Sequence, residues 1–304
     1  MDAQARAGIE FSETALRYAE VEQYGQRYRL LRLGTCDFDF DLVRGVLEGD
    51  DPTSGEVVAE ALLDVFSGSI ASVFTFAIHP QLTHSFVTSA DPSTTREERD
   101  RRVAREAALL LDANPEQDVM IDAHAESMWD DRPNEYVNVL ATPVRRHAAM
   151  RNVLSTLRDA QHYVKLTTQG ASAVMYLLDR ETEASDAEGR GYRMTVGCYR
   201  GFAEFCIVSP GGLRYSVHAP AVDALDYAYF AATYLQELGV PLEGLDRVFV
   251  YGDAIPEGTY DALGTIWPGR TRRLDPLEVV DLDPDTLTGE FASEIYAPCV
   301  GVAL

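Results

Sequence analysis

Apolar and polar side chains alternate through the first forty residues with the period of two that short strands require. Ile9 and Phe11 stand on either side of Glu10, and a polar turn at 12–14 follows them. The alternation then resumes, and Gly25 marks a second turn. The pattern predicts three antiparallel strands, at 7–11, 15–21 and 28–36.

Between residues 37 and 178 the pattern changes several times between the periods of strand and helix. Strands are predicted at 37–41, 70–78, 82–89, 119–125, 136–141 and 163–168, and helices at 56–66, 144–160 and 171–178. Another helix is predicted to begin at Thr94-x-x-Glu97, a pair that can bond the free N–H groups of a first helical turn. Among the residues assigned to the core faces of these helices are Val57, Leu63 and Leu110.

The opening order of elements recurs after the polar stretch 179–190, which we interpret as a linker. Three strands are predicted at 192–198, 202–208 and 213–218, followed by a helix at 221–238, a strand at 247–251, a short helix at 256–263 and a strand at 271–274. Such a repeat indicates an internal duplication, hence two lobes of similar topology. Residues 82–143 are surplus to the repeat.

Both ends of the chain resemble the PilM family of type IV pilus assembly proteins, within the actin-like ATPase superfamily. Residues 8–21 run without a gap beside the family's Gly-Leu-Asp-Ile-Gly-Ser-Ser-Ser-Val-Lys-Val-Val-Glu-Leu. Gly8 and Glu20 are kept, Arg17 stands for the lysine, Glu10 for the key acid and Ser12 for the turn glycine. The last eight residues, Ala-Pro-Cys-Val-Gly-Val-Ala-Leu, are similar to the family's Ala-Pro-Ala-Xaa-Gly-Leu-Ala-Leu.

The resemblance implies an α/β fold of two actin-like (RNase H-like) lobes with a small inserted α+β subdomain, as in the PilM and FtsA families. The predicted first lobe comprises 1–81 and 144–182, and the inserted subdomain comprises 82–143. The second lobe is predicted at 190–289, and 290–304 is predicted to return to the first lobe.

The composition indicates an acidic protein without affinity for nucleic acid. The 304 residues carry 49 acids and 26 bases, a formal charge of −23, and Lys165 is the single lysine. Such a balance is typical of proteins from a salt-loaded cytoplasm, although a GC-rich genome gives a similar composition. The sequence shows neither a basic and apolar leader nor a membrane-spanning run, so the chain is expected in the cytoplasm. A location at the inner face of the membrane would be through a partner only.

The three nucleotide motifs of the superfamily are all altered in this chain. The first hairpin, with Glu10, Ser12 and Thr14, keeps a carboxylate but loses the glycine that admits a phosphate. In the second hairpin Gly197 remains, but Thr195 replaces the second acid. The adenosine motif keeps Gly252 but continues with Asp253, whose charge and bulk oppose a nucleotide. The pattern favours a chain without ATP turnover and without a resident cofactor.

Two functions remain open from the sequence. The first is a non-catalytic scaffold of a type IV pilus or related secretion assembly, which binds the cytoplasmic tail of an inner-membrane protein. The resemblance implies a peptide groove near Phe86, Tyr136 and Val139. The second is an ATPase or small-molecule kinase of the same fold, in which the altered cleft binds ATP and magnesium. In the plainer interpretation Glu10 is a solvated strand residue and the glycines serve turns only.

The histidines and cysteines do not indicate a metal site. His79 and His84 flank a predicted strand without a third ligand at a suitable spacing, and the other histidines are isolated. The four cysteines form no Cys-x-x-Cys pair and are expected to be reduced, buried thiols.

Overall fold

The computed structural model describes residues 4–49, 51–78, 82–91, 93–112, 114, 118–126, 135–157, 161–168, 191–209, 212–282 and 291–304. Within these residues the strands are β1 (Gln4–Phe11), β2 (Ala15–Tyr24), β3 (Arg27–Asp37), β4 (Val73–Ile78), β5 (His84–Ala90), β6 (Val119–Glu126), β7 (Glu135–Pro143), β8 (Gln161–Thr168), β9 (Tyr192–Tyr199), β10 (Phe202–Ser209), β11 (Gly212–Pro220), β12 (Leu245–Gly252), β13 (Thr271–Arg273) and β14 (Asp281–Leu282). The α-helices are α1 (Pro52–Val65), α2 (Arg96–Leu111), α3 (Val144–Leu154), α4 (Ala224–Glu237), α5 (Thr259–Ile266) and α6 (Ala297–Ala303).

Two sheets repeat one topology. The first has the order β14-β3-β2-β1-β4-β8, and the second has the order β11-β10-β9-β12-β13. In each sheet an antiparallel meander of three strands is followed by a strand parallel to the first of the three, β4 beside β1 and β12 beside β9. The duplicated α/β topology predicted from the sequence is therefore confirmed, whereas the domain boundaries given above stay a prediction.

A third, smaller sheet lies in the chain between the two predicted segments of the first lobe and has the order β5-β7-β6. Helix α2 packs on it through Val103, which contacts Val137 and Val139 in a small core of its own. The two chain connections between the first sheet and the small sheet meet at the carbonyl of Leu82. This carbonyl accepts hydrogen bonds from Thr142 Oγ1 at 2.7 Å and from Arg146 Nη1 at 3.2 Å.

The two large sheets share a core, and the C-terminal helix lies within it. Every residue of α6 is buried, and the helix packs on β1 and β2 together with side chains from the second sheet. Its close approach needs Gly8, because a Cβ there would lie 1.9 Å from the Cys299 carbonyl oxygen. The last strand, β14, pairs in parallel with β3 and so extends the first sheet.

Several local predictions are wrong in detail. The acid–aromatic alternation at 37–41 forms no strand, because β3 ends at Asp37 and the chain turns into a π-helical segment, Val43–Glu48. The capping box is one residue later than predicted, at Thr95 and Glu98, because the Thr94 N–H bonds the Asp91 carbonyl in the preceding turn. Helix α3 ends at Leu154 rather than at 160.

Three residues assigned to core faces are exposed instead. Val57, Leu63 and Leu110 have relative exposures of 46%, 48% and 56%. Leu62 on α1 and Phe66 at its C-cap were assigned to the core correctly, and Val58 takes the buried place that was assigned to Val57. The predicted helix at 171–178 and the predicted linker at 179–190 lie outside the described residues.

Candidate functional site

The three altered motifs meet at one cleft between the two large sheets. The turn after β1 contributes Ser12 and Thr14, the turn after β9 contributes Tyr199 and Arg200, and the segment after β12 contributes Asp253. The cleft has a volume of about 280 Å³. This is slightly below the range of roughly 300–1,000 Å³ in which small-molecule sites usually fall.

Arg17 links two acids across the floor of this cleft. It lies opposite Glu10 in the β1–β2 ladder, and its Nη1 donates to Glu10 Oε1 at 3.3 Å. Its Nη2 donates to Asp253 Oδ2 at 2.9 Å, so the guanidinium joins the first hairpin to the adenosine motif. Burial opposes its charge, but Glu10 and Asp253 outweigh burial and raise the pKa of Arg17. The arginine therefore stays charged.

Glu10 is consequently a buried ion-pair partner rather than a solvated strand residue. It is 1% exposed, and the guanidinium occupies the side of the carboxylate that faces Asp253. A carboxylate engaged in this way is a poor magnesium ligand, because the metal would first have to displace a hydrogen-bonded cation. Arg17, which the sequence marks only as a replacement for a lysine, is thus the central residue of the cleft.

The polar groups of the first hairpin turn form hydrogen bonds with the backbone of the chain itself. The Ser12 N–H and Oγ both donate to the Ala15 carbonyl, at 2.8 and 3.2 Å. The Thr14 carbonyl accepts from the Phe38 N–H at 2.8 Å. Across the mouth of the cleft, Arg200 pairs with Glu13 at 3.4 Å, an exposed contact of small energetic weight. The Ser12 hydroxyl is therefore neither activated as a nucleophile nor directed at a phosphate position.

Gly197 and Gly252 serve internal packing. A Cβ at Gly252 would lie 2.2 Å from the Cys198 carbonyl oxygen, and φ at Gly252 is +114°, where glycine is favoured. A Cβ at Gly197 would lie 2.6 Å from Tyr251 Oη. Neither glycine lines the cleft. Two motif positions that the sequence associates with a nucleotide are thus explained by contacts within the second sheet.

A buried carboxylate near the second hairpin was missed by the sequence analysis. Glu204 on β10 is 1% exposed, faces Gly197 in the ladder and accepts a hydrogen bond from Tyr251 Oη at 3.0 Å. Burial first, and Glu204 second, raise the pKa values of Tyr199 and Tyr251, which keeps both hydroxyls protonated. The sequence signal was a single acid at an inward position of the strand Phe-Ala-Glu-Phe-Cys-Ile-Val.

The residues predicted for a peptide groove differ in how far they are buried. The side chain of Val139 is 0% exposed in the core under α2, and the groove near it stays a prediction. Phe86 is half-buried against the same core. The backbone of Tyr136 pairs with Ser89 and Glu126 in the small sheet, and its side chain lies outside the described part of the structure.

The histidines and cysteines are distributed as isolated groups. His84 on β5 lies near His218 on β11, at the contact between the small sheet and the second sheet. His79 lies outside the described residues. Within the ranges that the structure describes, no group of three or more metal-ligating side chains comes together. Cys198, Cys206 and Cys299 are buried free thiols, and Cys36 is a half-buried one.

The structure as a whole is similar to known actin-like proteins. A chain of a PilM–PilN type IV pilus biogenesis complex superimposes with a TM-score of 0.73 at 15% identity, over 98% of this chain and 97% of that one. A Bacteroides thetaiotaomicron protein with an actin-like ATPase fold and unknown function gives 0.48 at 11% identity, over 97% and 96%. The cytoplasmic domain of EpsL, from the type II secretion system of Vibrio cholerae, gives 0.47 at 10% identity, over 93% and 91%.

The similarity to the chain of the PilM–PilN complex establishes the class of fold, because it extends over nearly the whole length of both chains. The chain has the two-lobed α/β fold that the resemblance to the actin-like ATPases implied. No protein-family model and no curated protein matches the sequence. Among the described residues, no helix combines the length and apolar character needed to cross a bilayer.

Proposed function

We propose that the chain is a non-catalytic actin-like scaffold that binds the cytoplasmic tail of a membrane protein in a type IV pilus or related secretion assembly. The observation that carries the non-catalytic part is the bridge from Glu10 through Arg17 to Asp253. The bridge neutralises the carboxylate of the first hairpin and closes the cleft floor with a cation of the chain itself. Thr195, fully buried in β9, leaves the second hairpin without the family's acid.

The scaffold proposal is tested first by ATP binding and turnover. Calorimetric titration with ATP and magnesium is expected to give no binding heat, and a phosphate-release assay is expected to give no turnover above buffer. Magnesium-dependent turnover that disappears in Glu10→Ala would overturn the proposal and favour the alternative, an ATPase or kinase that uses this cleft. Retained turnover in Glu10→Ala would instead indicate a contaminating enzyme, because Glu10 is the acid that remains at the motif position.

The partner part of the proposal rests on the fold and on the junction between the first sheet and the small sheet. A structure of the same fold is described as a PilM–PilN complex, which supports a protein partner of membrane origin. Among the described strands, β6 and β8 each lie at the end of their sheet and beside each other. Sheet edges of this kind accept an extended peptide through main-chain hydrogen bonds. The charge of −23 favours a basic juxtamembrane tail.

A pull-down from the native membrane fraction tests the partner. The full chain is expected to recover one membrane protein, with a yield that falls but does not vanish as salt rises, because part of the contact is apolar. The control is a chain without residues 82–143 whose remainder is shown to be folded by circular dichroism and cooperative unfolding. Recovery of the same protein by that shortened chain would contradict a groove at the small sheet.

A further inference from the structure

Helix α4 carries an exposed apolar stripe on the outer side of the second sheet. Val222, Leu225 and Tyr229 have relative exposures of 76%, 72% and 64%. Leu225 and Tyr229 lie four residues apart on one face of the helix, and Val222 immediately precedes the N-cap residue Asp223; we call these three residues the α4 stripe. The opposite face of the helix, with Tyr227, Ala231 and Leu235, is buried against the sheet.

The α4 stripe is unusual for this chain because the helix is apolar on both sides. A helix with apolar residues all round normally has a covering on each side. Within α4 the charged residues are Asp226 and Glu237 alone, although charged residues make up 25% of the chain. A large apolar face on an otherwise highly charged surface is typical of a contact site.

Negative charges predominate in the chain on either side of the stripe. Residues 215–269, bounded by Arg214 and Arg270, contain eight acids and one base, Arg247, although one of the acids, Asp253, is paired with Arg17 in the cleft. Asp226 is fixed beside Leu225 and Tyr229 by hydrogen bonds from the N–H groups of Val222 and Asp223, which lower its pKa. On the neighbouring helix α5 Asp261 is exposed, and so is Glu257 in the turn that precedes this helix. At the other end of the stripe the turn that contains Arg200 approaches, but Arg200 pairs with Glu13.

We infer that the α4 stripe binds a basic amphipathic helix of another protein. Apolar residues of that helix would pack between the ridges of α4, and its lysine or arginine residues would face the acids around the stripe. The α4 backbone is satisfied within the helix, so recognition is through side chains rather than strand addition. A second copy of this chain would bring like charges together, and an anionic membrane would meet the same repulsion.

This surface is separate from the groove proposed for the membrane tail. The stripe lies on the second sheet, whereas the groove lies between the first sheet and the small sheet. One chain can therefore bind both partners at once, as a scaffold that connects two components. A variant that loses the α4 stripe is expected to recover the membrane partner as well as the unchanged chain does.

The test uses the full chain and a labelled synthetic helix of leucine, alanine and arginine with its leucines on one face. Fluorescence anisotropy is expected to show binding that weakens about tenfold or more in Leu225→Ser with Tyr229→Ser. The matched control is Ile70→Ser with Leu109→Ser, at positions 64% and 83% exposed elsewhere, which is expected to bind as the unchanged chain does. All variants should unfold at the same temperature, because each removed side chain is exposed.

A scrambled peptide of the same composition separates recognition from general attraction to an acidic protein. It is expected to bind weakly and equally to all variants. Equal binding of both peptides, or equal binding of the amphipathic peptide to the stripe variant and the control variant, would overturn the inference. Stripe-dependent flotation with anionic vesicles, or stripe-dependent self-association in sedimentation without peptide binding, would assign the face to a membrane or a second copy instead.

Discussion

Arg17 determines the chemistry of the cleft more than any motif residue does. Its guanidinium holds a carboxylate from each large sheet and is itself buried between them. Because the pair with Glu10 is desolvated, its net contribution to folding is modest, but the loss of one partner leaves a charge without compensation. The two ion pairs of Arg17 therefore join the two halves of the cleft floor.

Replacement of Arg17 by methionine is expected to lower the free energy of unfolding by about 3–5 kcal/mol, because Glu10 then remains buried with its principal cation removed. Urea denaturation at neutral pH measures the change. The double variant Arg17→Met with Glu10→Gln is expected to recover much of the loss, since the uncompensated charge is gone. A single variant as stable as the unchanged chain, or a double variant no better than the single one, would contradict this account.

Gly252→Ala is expected to destabilise the second sheet by about 2–4 kcal/mol, because the added Cβ meets the Cys198 carbonyl oxygen and the positive φ disfavours alanine. Thermal and urea unfolding provide the measurement. The control is Gly264→Ala in α5, where a Cβ would meet nothing within 4 Å. That change is expected to raise stability by up to about 1 kcal/mol. Similar effects at both glycines would argue against the packing role of Gly252.

At the scale of elements, alternation and capping predict what is local. The three antiparallel strands of each large sheet follow the period of two in the sequence, and their tight turns leave little freedom in pairing. The π-helical segment Val43–Glu48 and the early end of α3 are not visible in the sequence, because packing on neighbouring elements decides them. On α1 and at its C-cap the core positions Leu62 and Phe66 were predicted correctly, but Val57 was chosen over Val58, because both fit an apolar face and only packing selects between them.

The contact between the small sheet and the second sheet is expected to weaken on acidification. Burial, followed by His84, lowers the pKa of His218; burial, followed by Arg146, lowers the pKa of His84. Each folded pKa lies below the unfolded value of about 6.5, so the unfolded chain binds more protons. The stabilisation is complete above that unfolded value and is lost as pH falls through the folded pKa.

His218→Gln tests this contact in urea unfolding measured from about pH 7.5 down to about pH 5. In the unchanged chain the free energy of unfolding depends on pH through His218 and through the many carboxylates. The variant has the same carboxylates but lacks His218. The variant's stability is therefore expected to fall less with pH than that of the unchanged chain. Parallel pH profiles for the two proteins would show that His218 does not titrate with folding.

At the scale of the whole molecule, the sequence predicts which segments form the cleft but not which side-chain contacts are made within it. The positions of Ser12, Thr14 and Asp253 follow from the duplicated hairpins and the actin-like resemblance, and these residues do meet. The bond between Arg17 and Asp253 joins residues 236 positions apart, and no local pattern encodes it. Burial of Glu204 and Val139 is likewise a consequence of how sheets and helices assemble. Sequence patterns thus predict which segments converge, and tertiary packing decides which side chains remain available.

The net charge of the whole molecule leads to the last prediction, that stability rises from low to molar sodium chloride. The 49 acids exceed the 26 bases by 23, and the range of the repulsion among the excess negative charges shortens as the Debye length falls. Exposed pairs such as Arg101–Glu97 and Arg102–Glu106 lose a few tenths of a kcal/mol each, roughly, to the same screening. The buried Arg17 bridge is screened much less. Repulsion among the excess negative charges therefore decides the sign.

Melting temperatures across a sodium chloride series measure this effect, and a variant with several exposed acids changed to their amides provides the control. Molar salt also strengthens apolar burial to some degree, and that contribution is common to both proteins. The slope of melting temperature against salt is expected to be smaller in the variant, because fewer charges remain to be screened. A flat or falling profile in the unchanged chain, or equal slopes in both proteins, would show that self-repulsion does not limit the stability of this fold.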